Sequence, residues 1–376
     1  MTSICLCMIV KDESTVIERC LDSVRNLISY WVICDTGSSD GTQNLIRRTL
    51  ADVPGELHER PWVDFGHNRS EALALAAGKA DYLLLLDADW TIAAETAAFD
   101  DLSADAYLVR HEHPRGDDFE LYNRNLVRGD LEWRYVGVAH EYLEGDGKSE
   151  ARLAGASIVN WADGGVGRAK RWEQDRELLE RELKRDDSNA RNIFYLAQTY
   201  RDLGQLEKAA DLYEQRAALG GWAEEVYYSL YQVGCIEAEL GDWPRGMAAL
   251  IRAFEFRPVR LEALYELATR LRQRGEYETA HLFAARGIGR PQPDDILFVS
   301  PWVYRWGLIF EYSITAYWTG DPAEALRTCD YLLTLDDLPD AYREQTIANR
   351  KFCEDRVKAE KTSESPGELS GPVDGI

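Results

Sequence analysis

The chain has 376 residues, of which 45% are hydrophobic, so it can bury sizeable cores and is long enough for two or three domains. Its formal net charge of -23 offers no basic surface for a phosphate backbone, so we expect no nucleic acid partner. No apolar run approaches the roughly 20 residues that cross a bilayer, and the 7 cysteines form no C-x-x-C pair. We therefore expect a cytoplasmic protein with reduced thiols and no transmembrane segment.

The first 165 residues alternate short apolar runs with helical patterns. Strands are predicted at 4–10 (ICLCMIV), within 30–42, where the strand runs into a loop, and at 81–89. Helices are predicted at 14–28, onward from Thr42 and at 70–78. Strands that alternate with crossover helices are typical of a mostly parallel α/β sheet with ligands at the carboxyl ends of its strands. Residues 1–165 are thus predicted to form an α/β domain with its site at that edge.

The rest of the chain is almost wholly helical and repeats itself. Four predicted turn glycines are each followed five residues later by a small residue, where two helices must approach closely: Gly204 and Ala209, Gly241 and Gly246, Gly275 and Ala280, Gly320 and Ala325. This spacing resembles the tetratricopeptide repeat. We predict an all-α repeat domain over 166–357 and a disordered tail over 358–376. A homodimer through the repeats stays open.

The stretch YLLLLDADWTI (82–92) places two carboxylates directly after the most apolar strand. In an extended segment Asp87 and Asp89 point to the same side, because residues i and i+2 share a face. Two carboxylates beside a crevice suit Mg²⁺ or Mn²⁺ with substrate phosphates as further ligands. The alternative is that Asp89 or Thr91 caps a helix suggested by TIAAETAAF.

Two further loops carry polar side chains that suit a nucleotide. DTGSSDGT (35–42) follows a predicted strand and leads into a helix, so the side-chain oxygens of Asp35 and Asp40 can receive a base and ribose. FGHNRSEAL (65–73) sets Arg69 near the start of a helix, where a guanidinium and helix-end amides could meet a diphosphate. Taken singly, these residues also suit turns, caps and exposed ion pairs.

These segments, together with MIVKDE (8–13), resemble family-2 glycosyltransferases of the GT-A fold in order and spacing. The resemblance covers roughly residues 3–145 and implies a GT-A domain that uses a nucleotide sugar, with a UDP-sugar as the expected donor. It implies that the following residues contact the nucleotide or its metal: Asp12, Glu13, Asp35, Asp40, Arg69, Asp87 and Asp89. Asp87 and Asp89 would form the D-x-D motif that holds Mn²⁺ or Mg²⁺. Many relatives have two aspartates where this chain has Asp35-Thr36, which puts one base contact in doubt.

The catalytic base is sought in the segment WRYVGVAHEYLEG (133–145). An inverting displacement requires a carboxylate that takes the acceptor's proton. Similar enzymes carry an acidic or metal-binding motif here, so Glu141 is assigned as the base and His140 as a third metal ligand. If this segment is a strand, the two neighbours face opposite sides and one of these roles fails. The alternative bases are acidic residues of the 112–118 loop: Glu112, Asp117 and Asp118. His111 and His113 could likewise be metal ligands, but they are predicted to be surface residues.

Three functions remain in competition. The first is a metal-dependent, inverting glycosyltransferase (hexosyltransferase-like), similar to bacterial enzymes that glycosylate peptide side chains, with the repeats presenting a peptide or protein acceptor. The second is a phosphatase, because LLLLDADWT also resembles the D-x-D-x-T motif of haloacid dehalogenase-like enzymes, in which Asp87 would be the nucleophile and Asp89 the general acid. The third is a non-catalytic peptide-binding scaffold of tetratricopeptide repeats.

Overall fold

A computed structural model describes residues 2–112, 121–138, 141–161 and 168–363. The chain divides into two compact units. The first unit contains Met1–Leu240 and Asp295–Val299, and the second contains Gly241–Asp294 and Ser300–Ile376. Within the described ranges, no helix is both long and apolar enough to cross a membrane.

The first unit is built on a mixed sheet of eight strands in the order β3-β2-β1-β4-β7-β6-β10-β5. The four strands from β3 to β4 are mutually parallel, as is the pair of β10 and β6, whereas β7 and β5 run antiparallel to their neighbours. The strands, including a separate hairpin of β8 and β9, are β1 (Ile4–Val10), β2 (Tyr30–Asp35), β3 (Gly55–Glu59), β4 (Tyr82–Leu85), β5 (Trp90–Ala94), β6 (Ala106–Glu112), β7 (Leu121–Arg128), β8 (Trp133–Val136), β9 (Tyr142–Gly145) and β10 (Glu150–Asn160). The predicted α/β sheet is confirmed.

Helices cover both faces of the parallel strands, which explains why β1 and β4 are apolar at every position. One face of β1 packs on α1 (Ile17–Val24) and α2 (Thr42–Thr49) through Leu6 and Met8. The other face packs through Cys5 and Cys7 on α3 (Phe65–Ala76). The cysteines of the sheet are therefore buried core residues, and burial raises the pKa of the Cys5 thiol to about 12.

After β10 the structure is helical. The helices are α4 (Arg168–Leu183), α5 (Ala190–Asp202), α6 (Leu206–Ala218), α7 (Ala223–Glu239), α8 (Trp243–Phe256), α9 (Glu262–Gln273), α10 (Tyr277–Gly287), α11 (Leu308–Trp318), α12 (Pro322–Leu332) and α13 (Asp340–Ser363). Each predicted turn glycine lies between two consecutive helices and has a positive φ, from 73° at Gly204 to 95° at Gly320. The partner alanines Ala209, Ala280 and Ala325 are fully buried, as close helix approach requires. The tetratricopeptide-like arrangement is confirmed.

Two details differ from the sequence prediction. The segment TIAAETAAF contains no α-helix, because Trp90–Ala94 pairs with β10 as a strand and only Thr96–Phe99 forms a 3-10 turn. Neither Asp89 nor Thr91 is therefore a helix cap. The predicted tail begins inside α13, which continues to Ser363, and residues 364–376 lie outside the described part.

Candidate active site

The loops that follow β1 and β2 are joined by hydrogen bonds at the carboxyl edge of the sheet. The two strands are parallel neighbours in which Val10 pairs with Asp35. Asp12, with a φ of 53°, donates its amide to Ser38 Oγ at 2.8 Å and accepts from the Ser39 amide at 2.8 Å. The Glu13 amide donates to Thr42 Oγ1 at 2.9 Å. The loops that follow β1 and β2 thus meet at one edge of the sheet.

Asp35 ends β2 and keeps one carboxylate oxygen without a hydrogen-bond partner. The residue is 1% exposed, and its Oδ1 accepts from the Gly37 and Ser38 amides at 2.9 and 2.8 Å. Its Oδ2 is also buried but accepts no hydrogen bond from the described residues. A buried acceptor in this state is costly unless a ligand donor completes it. The next residue, Thr36, is buried and bonds back to the Val10 carbonyl at 3.1 Å, so its hydroxyl is committed to the backbone.

Asp40 has a clear role in holding the loop. Its Oδ2 accepts from the Ser14 amide at 2.8 Å, and its Oδ1 accepts from the Thr42 hydroxyl at 2.6 Å. Partial desolvation would raise the pKa of this carboxyl, but the hydrogen bonds from Thr42 and Ser14 outweigh it and hold the pKa well below its usual range. Asp40 thus ties the loop after β2 to the start of the segment before α1.

The D-x-D pair lies at the same edge, beyond β4, but its geometry differs from the prediction. Residues 87–89 form a tight turn in which the Trp90 amide donates to the Asp87 carbonyl at 3.1 Å. The extended conformation that would put Asp87 and Asp89 on one face is therefore not present, because the chain reverses here to enter β5. Asp89 is buried and the Asp87 side chain is 18% exposed.

Arg69 bridges the D-x-D turn to Glu141. Its Nη2 donates to Asp87 Oδ1 at 2.5 Å, and its Nε lies 2.5 Å from Glu141 Oε1 in an ion pair that lacks hydrogen-bond geometry. The guanidinium also lies 5.6 Å from the ring centroid of Tyr135. Burial opposes the charge on Arg69, but Asp87 and Glu141 outweigh it and raise the pKa of the guanidinium above its ordinary value. Arg69 is thus the central cation of the site.

The carboxylates of this site can hold a metal ion only when a bound ligand supplies further oxygen atoms. No group of three or more His, Cys, Asp and Glu side chains within the described ranges is placed to hold a metal ion. Asp87 and Asp89 provide two carboxylates, which is the number Mg²⁺ commonly takes from a protein when phosphate oxygens and water complete its octahedron. The pair therefore fits a metal that arrives with a diphosphate, and it does not form a closed all-protein site.

The assigned base and third metal ligand come from the hairpin of β8 and β9. Glu141 lies directly before β9, and its side chain is 10% exposed beside Arg69. His140, the predicted metal ligand, lies outside the described residues, as do the alternative bases Asp117 and Asp118. Glu112, the remaining alternative, ends β6 and forms an ion pair with Arg110. His113 also lies outside the described residues.

His111 is buried, contrary to the predicted surface position. It lies on β6 between β7 and β10, and its Nε2 is 2.8 Å from Asn125 Oδ1. Asn125 in turn donates to the Leu85 carbonyl at 2.9 Å, and the His111 ring meets Trp90 edge to face at 4.8 Å. Burial lowers the pKa of His111 and keeps the ring neutral. The histidine thus contacts both sides of the D-x-D turn, through Asn125 to the end of β4 and through Trp90 to the start of β5.

Sequence reasoning also missed Trp161, which follows β10. Its amide donates to the Asp89 carbonyl at 3.4 Å and its indole Nε1 to Thr91 Oγ1 at 3.0 Å. The guanidinium of Arg19, from α1, lies 4.7 Å from its ring centroid. The indole is 38% exposed, so an aromatic surface borders the carboxylate pair. A tryptophan directly after a strand was the only sequence signal for this.

The fold and the site together define an α/β domain with charged loops at the carboxyl edge of its sheet, followed in the chain by a region of helical repeats. Residues 5–126 match the family model described as glycosyl transferase family 2, and this part of the chain is accordingly a family-2 glycosyltransferase domain. The match includes the loops of Asp12, Asp35 and Asp40, as well as Arg69 and the D-x-D turn.

The chain is also similar to proteins that carry tetratricopeptide repeats. A TPR repeat-containing protein from Synechococcus elongatus is 31% identical over 152 residues, which cover 38% of this chain and 36% of that protein. The chain thus spans about a third of the length of this curated relative. Among solved structures, MamA is 18% identical with a TM-score of 0.35, covering 50% of this chain and 92% of that one. The C-terminal part of a TPR repeat-containing protein from Cytophaga hutchinsonii is 14% identical with a TM-score of 0.40, covering 52% and 69%.

Proposed function

We propose that this protein transfers a sugar from a nucleotide sugar, with a UDP-sugar as the expected donor, to an acceptor that includes a peptide or protein side chain. The observation that carries the proposal is the buried, unpaired Oδ2 of Asp35 at the edge where the D-x-D turn also lies. An imide N–H of a pyrimidine base is a donor of the kind that this oxygen lacks. The match of residues 5–126 to family 2 supports transfer rather than the phosphatase chemistry.

The chain's own groups have distinct tasks in this reaction. Asp12 and Asp40 hold the two loops together, so that Asp35 is preorganised to accept from the base. Asp87 and Asp89 would hold Mg²⁺ or Mn²⁺, which when bound would neutralise charge on the departing diphosphate. Arg69 has the charge and the fork geometry to meet phosphate oxygens as well.

Glu141 is the proposed base that takes the acceptor's proton. A carboxylate beside a guanidinium is stabilised as an anion and is a weaker proton acceptor for that reason. Glu141 can therefore act as a base more easily after Arg69 shifts toward a diphosphate.

The test is a panel of nucleotide sugars with Mn²⁺ or Mg²⁺, measured by thermal stabilisation and by hydrolysis of the donor. We expect stabilisation by uridine nucleotide sugars that is lost in Asp35→Asn and depends on the cation only while Asp89 is intact. Asp242→Asn, which alters an exposed helix cap in the second unit, is the matched control. No cation-dependent response to any nucleotide sugar would refute the proposal. Peptide binding without any nucleotide response would favour the scaffold.

A further inference from the structure

A large cleft opens in the first unit next to α3 and the hairpin of β8 and β9. Its volume is about 1050 Å³, and one wall consists of the first turns of α3 and the strand β8. The opposite wall consists of the start of α5 and the turn between α6 and α7. No residue of the 11–14 or 35–42 loops lines it. We call this space the α3/α5 cleft.

The cleft lies beside the segments that carry the proposed base and Arg69. Tyr142 and Ser70 both line it, and they are the direct sequence neighbours of Glu141 and Arg69. Ser70 also fixes β8, because it accepts from the Tyr135 amide at 2.9 Å. An acceptor bound here would lie next to the elements of the proposed site, where its reacting group needs to be placed.

The α5–α7 side of the cleft carries two arginines around one buried carboxylate, within a lining that has three arginines and four carboxylates in all. Both oxygens of the buried Glu225 are used by arginines: Arg216 binds Oε2 through Nε at 3.0 Å and Nη2 at 2.8 Å, and Arg191 binds Oε1 at 3.1 Å. Two guanidiniums thus share one carboxylate. Arg216 is fully buried and spends its remaining Nη1 on the Gly220 carbonyl at 2.6 Å.

Arg191 is the member of this group that a ligand can reach. Its side chain is 27% exposed, and its buried Nε has no hydrogen-bond partner among the described residues. The guanidinium is held in place between aromatic rings, 4.7 Å from the centroid of Tyr142 and 5.0 Å from that of Tyr195. Its Nη1 donates to Glu225 and its Nη2 to the Tyr195 hydroxyl at 3.2 Å, but two guanidiniums share the single Glu225 carboxylate, so positive charge remains for a ligand carboxylate. Arg191 lies in a protein whose net charge of -23 would otherwise repel one.

We propose that the α3/α5 cleft is the acceptor subsite and that it binds an extended polypeptide segment with a carboxylate against Arg191. A volume of about 1050 Å³ is at the upper end for pockets that hold a small molecule, and suits several residues of a chain. The exposed indole of Trp222 and ring of Tyr142 offer apolar contact to such a segment. This inference rests on the proposed transfer reaction for its meaning, but binding can be measured without donor.

The probes are fluorescent octapeptides with a central serine, threonine or cysteine. One set has glutamates flanking this residue, a second has glutamines, and each is made with a free and with an amidated C-terminus. Polarisation without nucleotide sugar should show about tenfold tighter binding of peptides with a carboxylate, as expected for a charge-assisted contact. If the preference follows the glutamates, the bound carboxylate belongs to a side chain. If it is lost when the C-terminus is amidated, the bound carboxylate is that of the C-terminus.

Arg191→Gln should remove the tenfold preference, whereas Arg201→Gln should keep it. Arg201 lies on the same helix, is paired with Asp202 and does not line the cleft. Equal affinity for glutamate and glutamine peptides, or a preference that survives Arg191→Gln, would overturn the proposal.

A second measurement does not depend on any variant folding. The same glutamate peptides with a benzoylphenylalanine should label the wild-type protein at 134–138, 142, 189–192 or 220–222. Labelling confined to the second unit would overturn the subsite. If peptides bind as described while no nucleotide sugar is turned over, the subsite stands and the transfer reaction fails, so the two failures are distinguishable.

Discussion

Arg69→Gln tests how much the ion pairs of Arg69 with Asp87 and Glu141 stabilise the folded protein. Arg69, Asp87 and Glu141 have side-chain exposures of 14%, 18% and 10%, so their charges are largely shielded from water. Removing one partner of a buried ion pair costs about 3 to 5 kcal/mol because an uncompensated charge remains. Residual solvent access favours the lower value, so we expect a loss of about 3 kcal/mol in the free energy of unfolding at pH 7.

The matched control is Arg134→Gln on strand β8. Its ion pair with Glu144 is exposed, with side-chain exposures of 73% and 42%, so its loss should cost at most about 1 kcal/mol. Urea unfolding followed by tryptophan fluorescence measures both variants against the wild type.

The pH dependence of the Arg69→Gln cost separates charge from lost packing. In this variant Asp87 and Glu141 face each other without their shared cation. Protonation removes that repulsion, so the cost should shrink as the pH falls toward 4, whereas a packing defect would cost the same at every pH. A loss below 1 kcal/mol at pH 7, or a cost independent of pH, would refute this account of Arg69.

Three further substitutions follow from the fold. Asp40→Asn should lower the free energy of unfolding by about 1 kcal/mol at neutral pH. Because the pKa of Asp40 is depressed in the folded state, the stabilisation by this carboxylate is present above pH 4 and lost below it. The unfolding curves of the variant and the wild type should therefore converge in acid. Gly66→Ala should lower the melting temperature by several degrees, because its Cβ would overlap the carbonyl oxygen of Gly137 and part α3 from the hairpin; an unchanged melting temperature would contradict that packing. Gly275→Ala should cost about 1 kcal/mol by urea unfolding, since φ there is 77° and open space surrounds the residue, so any loss reflects backbone strain alone.

The parts that the sequence predicted depend on local patterns. The strand endings at Val10 and Asp35 and the four turn glycines are set by neighbours within a few residues, and these features were confirmed. The D-x-D turn was predicted wrongly because its shape depends on β5, which pairs with β10 more than sixty residues later in the chain. No periodicity within residues 82–94 reveals that pairing.

Contacts made by side chains over long distances were equally out of reach. His111 was expected at the surface because its neighbours in RHEHPRGDD are polar, but β6 lies inside the sheet and buries His111 as well as residues 106–109. The pairing of Arg69 with Glu141 joins positions 72 residues apart through the hairpin of β8 and β9. Sequence reasoning could propose each residue for the site, but not that one cation would hold two of the carboxylates.

This sharing of Arg69 has a consequence for the proposed reaction. Asp87 and Glu141 are the proposed cation ligand and base, and neither is fully available while the guanidinium holds both. A diphosphate at the strand ends would compete for Arg69 as an anion, and movement of the guanidinium toward it would free the two carboxylates together. The same movement of Arg69 would then accompany donor binding and free Glu141 to act as the base. Such coupling would make transfer, and not binding of the peptide, depend on a filled donor site, because only then is Glu141 free to accept a proton.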